Sequence, residues 1–492
     1  MFRLASLLSG KVTTAAERED IMTKTQTDSN ELRPTPARVL ADLWQLSGLD
    51  PSALSHAALN GQDPVMPSSF AVGTAAQTSI AAAALAACEL GYLRGQTRQT
   101  VSVDMTHAAL ECTAWFSLDG KVPPMWDKFS GAYRCADGWV RIHTNFAHHR
   151  DGALALMGLD AATASRADAE GFMRIRSAFA FEQSAADAGL VVAAMRTFDE
   201  WDNSPQGQAV AQQPLISFEK IGDASPLNLP SLQRRDRPLQ ALRVLDLTRI
   251  LAGPVCGRLL AAYGADVMLV NAPHLPNIDS IADTSRGKLS CHVDLRTPTG
   301  QAALRQLVQT SHVFVQGYRP GALASLGFDA TALAAQRPGI VCVSLSAYGD
   351  QGPWGTRRGF DSLVQSAMGF NHAESEAAGS DSPKPLPMQI LDYGTGHLMA
   401  YAAVAALVKQ QQEGGSWHVR LNLARTGLWL RSLGRLENGF AADMPARTPY
   451  LETAASGYGE LVAVEHSAKL SSTPAMWARP SMPPGTHAAV WP

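Results

Sequence analysis

Between residues 243 and 345 the chain alternates two kinds of apolar pattern. Short runs of buried-strand type (Arg243-Val-Leu-Asp-Leu247, Ala265-Asp-Val-Met-Leu-Val270, His312-Val-Phe-Val-Gln316 and Ile340-Val-Cys-Val-Ser-Leu345) are separated by stretches of helical spacing at 256–263, 299–309 and 323–336. Continuous apolar runs predict strands buried on both faces, as parallel strands are when helices cover them. The alternation predicts βαβ units and therefore a doubly wound α/β sheet.

The first 240 residues are less regular. Residues 1–36 are polar and predict a disordered segment. Val39, Leu40, Leu43 and Leu46 recur at helical spacing within 37–54. Gly73-Thr74 opens an Ala-rich helix ending near Arg94, followed by the alternating run Gln99-Thr-Val-Ser-Val-Asp-Met105. Gly394-Thr395 opens a second small-residue helix, followed by Trp417-His-Val-Arg-Leu-Asn-Leu423. One helix–strand unit used twice indicates a duplication. Asp137-Gly138, set between alternating runs, predicts a hairpin over 129–143. Residues 153–201 read as helical, and the prolines of 203–238 read as an extended connector.

The chain of 492 residues is long enough for two to four domains. The expected division is a disordered segment 1–36, a helical segment and partial repeat 37–117, a small α+β domain 118–202, a linker 203–238, the doubly wound domain 239–435 and an extension 436–492.

A formal net charge of -3 gives no concentrated basic field, so neither nucleic acid nor a membrane surface is an expected partner. No run of about 18 apolar residues predicts a membrane span. Six cysteines without a Cys-x-x-Cys pair fit a reducing compartment, and the expected location is cytoplasmic. Met1–Val12 carries Arg3, Lys11 and several leucines but lacks the long apolar centre of a leader. An ordinary terminus is the reading, with an organellar leader or a start at Met22 as the alternatives.

The first strand of the regular half runs into Leu247-Thr-Arg-Ile-Leu-Ala-Gly-Pro254 at the mouth of a helix. Doubly wound sheets bind ligands at the carboxyl ends of their strands, and a helix N-terminus favours an anionic phosphate there. No Gly-x-Gly-x-x-Gly follows this strand, and the second strand runs into Asn271 instead of an acid, which argues against a nicotinamide dinucleotide. Neither a Gly-x-Ser-x-Gly elbow nor a phosphate-binding Walker loop is present. His143, His148 and His149 lie together without Cys or an acid at ligand spacing, so no metal site is expected.

The run from Arg243 to Pro254, followed by Gly264-Ala-Asp-Val267, resembles the opening signature of family III CoA-transferases (the CaiB/BaiF family, which includes formyl-CoA and carnitine CoA-transferases and the α-methylacyl-CoA racemases). Further similar blocks follow in order: Arg286-Gly-Lys288, Val293 to Gly300, Gly317-Tyr-Arg-Pro-Gly-Ala-Leu323, Leu326-Gly-Phe328, Ser346-Ala-Tyr-Gly349, Gly352-Pro353 and Gly359-Phe-Asp361. The resemblance covers 241–428. Residues 73–158 resemble a later part of a family chain, and 461–487 its closing segment, so the order is rearranged or partly duplicated.

The resemblance implies a Rossmann-like, doubly wound CoA-binding domain with a smaller α+β domain. It also implies an enzyme that moves coenzyme A from an acyl-CoA to a free carboxylic acid, with CoA esters as substrates, no tightly bound cofactor and a homodimeric assembly. Matching CoA-binding positions are Arg249, Ile250, Leu251, Ala252, Val293, Asp294, Leu295, Arg296, Gly317, Tyr318 and Arg319, with Arg286 and Lys288 as further cations. The nucleophilic carboxylate is expected at Asp381, with Glu376 its rival. Asp392 corresponds to the aspartate of the racemases, whose histidine position holds Phe360. Phenylalanine cannot carry a proton, which favours transfer over racemisation. The alternatives are a racemase or isomerase and a non-catalytic binder of CoA esters.

Overall fold

The computed structural model describes residues 33–492. The disordered segment, the leader and the alternative start at Met22 therefore lie, Arg33 to Pro36 apart, outside the described residues.

The regular half builds a seven-stranded sheet from β1 (Ser217–Gly222), β2 (Arg243–Leu247), β3 (Asp266–Asn271), β4 (Leu289–His292), β5 (Val313–Gln316), β6 (Val341–Ser346) and β7 (Ser416–Asn422). Their order across the sheet is β4-β3-β2-β5-β6-β7-β1. All neighbours are parallel except β7 and β1. Apart from the antiparallel edge, this is a doubly wound α/β arrangement, whose strand order reverses between β2 and β5. Two expectations change here. The connector 203–238 contains the helix Pro205–Ala211 and β1. Strand β4, only four residues long, stood unnoticed between Lys288 and Val293.

Four helices position the site: α1 (Val72–Leu93), α2 (Ala252–Ala262), α3 (Asp361–Met368) and α4 (Ile390–Glu413). The two helices of the suspected duplication, α1 and α4, pack against each other and are buried along nearly their whole length. Alanine and glycine on both surfaces allow the close approach, and Ser79 Oγ meets His397 Nδ1 at 3.2 Å. One continuous apolar core runs from Val39 through α1, α2 and α4 to Leu470.

The N-terminal and C-terminal parts are interwoven. Strand Val101–Asp104 pairs with Ala57–Asn60 on one side and Ala468–Leu470 on the other, and Phe116–Leu118 joins the hairpin of Leu451–Ser456 and Gly459–Val464. Segments 37–117 and 436–492 thus share two small sheets. The first helix spans Pro36–Ser47, shorter than expected, because Gly48 adopts a left-handed cap (φ 69°).

The small domain has its own core around Tyr133, Val140, Phe181 and Ala194. Its hairpin pairs Gly131–Cys135 with Gly138–Ile142, so Ala136 and Asp137 form the turn. The helical expectation over 153–201 misses the third strand, Val192–Ala194, which pairs with Val140–Ile142. All six cysteines are buried and free. Among the described residues no helix is long and apolar enough to cross a membrane.

Candidate active site

A cleft opens where the strand order reverses, at the carboxyl ends of β2 and β5. It encloses a cavity of about 340 Å³ lined from the sheet by Arg249, Ile250, Gly317, Tyr318 and Arg319. The backbone there is unusual. Ile250 has φ 80°, a left-handed conformation that a β-branched side chain adopts only under constraint. The turn reverses the chain so that α2 starts at once. A Cβ on Gly253 would lie 2.4 Å from the Thr248 side chain, so only glycine lets the first turn of α2 sit this close to the strand end.

Below that turn, Lys288 donates to Asp246 Oδ2 at 2.8 Å and to the Pro254 carbonyl at 2.7 Å, and both charged side chains are fully buried. Lys288 is therefore a brace that locks α2 onto β2, and does not reach the cleft. Arg286, also expected at the ligand, is placed elsewhere. It is buried against Asp283 and donates to Glu452 Oε1 at 2.6 Å, tying the C-terminal hairpin to the sheet domain. Val293 is buried in the core behind the sheet, Leu295 packs against that core, and Asp294 and Arg296 pair with each other at 2.8 Å. None of these four lines the cleft. Leu251 and Ala252 are buried at the start of α2.

The cleft's far wall comes from segments that the CoA-like motifs do not include. Phe146, His148 and His149 reach in from the small domain, and Arg357 and Arg358 from the loop before Gly359-Phe360. Four arginines (Arg249, Arg319, Arg357 and Arg358) thus converge on one cavity, a donor set suited to phosphate oxygens. Arg249 lies over the Phe146 ring at 5.3 Å and donates to the Pro276 carbonyl. The imidazoles stay neutral. Burial, followed by the Arg141 charge, brings His143 down to about 3, and burial with His148 and nearby arginines brings His149 to about 4. Arg357-Arg358 stands directly before the Gly359-Phe-Asp361 motif, a signal legible in the sequence. The histidines, some two hundred residues away, carried no local signal for this role.

Phe360 forms part of the wall, with His143 stacked on it at 4.1 Å and 23°. Immediately behind it lie two carboxyls. Asp361 opens α3 and Asp392 sits in the first turn of α4, both buried. Asp361 accepts N–H bonds from the Asp392 backbone (2.9 Å) and from Gln365, so it is built to hold a negative charge, yet burial raises it to about 6. Burial and then the charge of Asp361 push Asp392 well above the usual carboxylate range. One turn further along α4, Gly396 touches the first turn of α2, which places the start of α4 against the cleft's own helix.

The other two acids lie apart from this. Asp381 is exposed in a turn after the helix Phe370–Ala378, and Glu376 is exposed and 3.3 Å from His372. Neither lines the cleft. Among the described residues no cluster of three or more His, Cys, Asp or Glu side chains is placed to hold a metal ion, the cleft histidines included.

Comparisons with known proteins place the sheet domain in a family. Residues 239–461 match the model of CoA-transferase family III. The chain is similar to an acyl-CoA transferase of Gibberella moniliformis (28% identical, over 84% of this chain and 81% of that protein). It is also similar to a probable fatty acyl-CoA transferase of Mycobacterium tuberculosis (32% identical, 43% and 58%) and a succinate–glutarate CoA-transferase of Agrobacterium fabrum (32%, 40% and 53%). It therefore spans little more than half the length of these two bacterial relatives. A crystal structure of a hypothetical protein from M. tuberculosis aligns at 31% identity and TM-score 0.37, covering 40% of this chain and 58% of that one.

Proposed function

We infer, from the premise that this chain belongs to CoA-transferase family III through residues 239–461, that it moves coenzyme A from an acyl-CoA to a free carboxylic acid. The observation that carries the reading is the buried Asp361–Asp392 pair, which does not itself line the cavity but follows Phe360, a wall residue of the arginine-lined cleft. The cleft supplies cations for the phosphates of CoA, and the strained Ile250 turn presents Arg249 and Ile250 at its wall.

The nucleophile in this reading is Asp392, in preference to Asp381. A carboxylate that attacks a thioester needs a site shielded from water, because hydrolysis of its anhydride competes with transfer. Asp392 is shielded and Asp381 is not. A raised pKa also makes the ionised carboxylate more basic and a stronger nucleophile. The N-terminal end of α4 favours the charged form at the moment of attack.

The chemistry is a sequence of acyl exchanges. The Asp392 carboxylate attacks the thioester carbonyl, the C–S bond breaks, and CoA leaves as thiolate from a mixed anhydride. The thiolate attacks the aspartyl carbonyl, releasing the donor acid and leaving an aspartyl-CoA thioester. The acceptor carboxylate then attacks that thioester, and the freed thiolate takes the acceptor's acyl group. Asp392 is regenerated as the carboxylate, so once its proton has left to solvent the cycle needs no further proton transfer and no redox partner.

Hydroxylamine trapping after incubation with succinyl-CoA tests it. An aspartyl hydroxamate at Asp392, retained in Asp381→Asn and lost in Asp392→Asn, is the expected result. The modification at Asp381, or none at all in a protein that binds succinyl-CoA, would overturn the assignment.

A further inference from the structure

A second cavity, of about 300 Å³, lies beside the cleft on the opposite side of the Tyr318–Pro320 loop. It sits on one face of the sheet, over β5, β6 and β7. The register places Gln316 beside Ser344, Ser344 beside Arg420, and Ser346 beside Asn422, with Cys342 and His418 one pair further back. Alternation puts all of these on a single face. The other face of the same strands carries Val313, Val315, Val341, Val343 and Val419, all in the main core. Parallel strands covered on both sides are apolar on both sides. A polar row on one face, under only the short helix Ala330–Gln336, is a surface shaped for something polar to occupy.

The row's hydrogen bonds define what that is. Arg420 NH1 lies 3.3 Å from His418 Nδ1, and arginine can only donate, so Nδ1 accepts. The neutral ring then carries its proton on Nε2, which donates to Ser344 Oγ at 2.9 Å. The Ser344 hydroxyl proton is left to point into the cavity. The Ser346 hydroxyl and Gln316 Nε2 have no hydrogen-bond partner among the described residues, and Arg319 has no ion pair there. The acids nearby are already engaged: Glu219 and Asp350 hold Arg420 at 2.7 and 3.6 Å, and Asp329 caps the helix Ala330–Gln336. Free donors and a free cation thus line one wall, while Leu323, Phe328 and Leu333 line the other.

We propose that this cavity binds a small carboxylic acid with an apolar body, its carboxylate on Ser344, Gln316 and Arg319 and its hydrocarbon against Phe328 and Leu333. Arg319 and the Tyr318–Pro320 loop belong to both cavities, so the acid and CoA are held side by side. The binding site stands whether or not the chain transfers CoA; the acid's role as acceptor rests on the reading above.

Titration calorimetry of the full chain with hexanoate tests it. Saturable uptake is expected, lost in Leu333→Trp, which fills the cavity, and weakened about tenfold in Ser344→Ala, which removes one hydrogen bond to a charged group. CoA affinity, measured separately, is expected to stay within about twofold in both variants. Ser344→Ala keeps the test alive should Leu333→Trp fail to fold. Uptake unchanged in both folded variants, or no saturable uptake by the wild-type chain, overturns the proposal. Loss of CoA binding together with hexanoate binding would assign the cavity to CoA itself and also overturn it. Failure to transfer CoA would leave the hexanoate result untouched.

Discussion

Asp392 donates its backbone N–H to Oδ2 of Asp361 at 2.9 Å, so two buried carboxyls from the first turns of two helices share one small space. Asp361 takes the N–H bonds and therefore the charge. Asp392 is left as the acid of the pair, held high by burial and by its neighbour. If Asp392 must be ionised to attack, activity rises with pH through its titration. Replacing Asp361 by Asn removes the neighbouring charge and lowers the Asp392 pKa. The acid limb of kcat/KM is therefore expected to move to lower pH in Asp361→Asn, as read from the pH profile of the free enzyme. A shift the other way, or none, would show that Asp361 does not act on Asp392 through its charge.

The same pair costs stability at neutral pH. Both folded pKa values lie above their unfolded values, so the folded state binds these protons more tightly than the unfolded chain does. Their contribution is most favourable below about 4 and is lost as pH rises through about 6 and beyond. Asp392→Asn is accordingly expected to raise the melting temperature at pH 7.5, with the gain shrinking toward pH 4.5. Calorimetric scans of both proteins at the two pH values check this, and a variant less stable at pH 7.5 would contradict it.

The sheet was readable because parallel strands buried on two faces leave continuous apolar runs, as at Val244-Leu245 or Val313-Phe314-Val315. Strand β4 was not, since four residues ending in an exposed histidine leave no such run. Strand β1 escaped because it is a half-buried edge among prolines. In the site, Arg249, Ile250 and Gly317 to Arg319 were readable from ordered motifs next to strand ends. Arg286 and Lys288 were misplaced for a physical reason: a motif cation looks the same in sequence whether it faces a ligand or a buried aspartate. The pairing of Asp361 with Asp392 across 31 residues has no local pattern, and became visible only when α3 and α4 were placed.

The C-terminal segment is held by charge. Glu111, fully buried, accepts from His466 Nδ1 at 3.1 Å and from the Ser467 backbone N–H at 2.9 Å, and lies 3.4 Å from Arg258, itself paired with Asp283. Burial opposes ionisation of Glu111, but the His466 and Arg258 charges outweigh it and hold the carboxyl well below its usual range. Breaking a buried pair on one side costs about 3–5 kcal/mol, because the partner charge stays behind. Glu111→Gln is therefore expected to destabilise at neutral pH by that amount and to expose residues beyond 465 to limited proteolysis. Since the folded pKa is depressed, the wild type loses this advantage as pH falls below 4.5 and through the folded value. The two proteins should converge there in denaturation midpoint.

Two glycines of α4, two residues apart, separate close packing from mere permissiveness. A Cβ on Gly396 would lie 2.4 Å from the Ala252 carbonyl oxygen and 2.9 Å from Val255 Cβ, so backbone must move. A Cβ on Gly394 would find Thr426 at 3.6 Å and Trp429 at 4.0 Å, ordinary contacts. Gly396→Ala is expected to cost about 1–3 kcal/mol through overpacking and to weaken CoA binding, because the α2 turn it displaces directly follows Arg249 and Ile250, which line the cleft. Gly394→Ala, with room for the methyl group, should be neutral or gain up to about 1 kcal/mol from helix propensity. Melting temperatures and CoA titrations of the two variants side by side decide it. If both lose stability alike, the helix requires small residues for another reason, and the contact between α4 and α2 does not set the shape of the cleft.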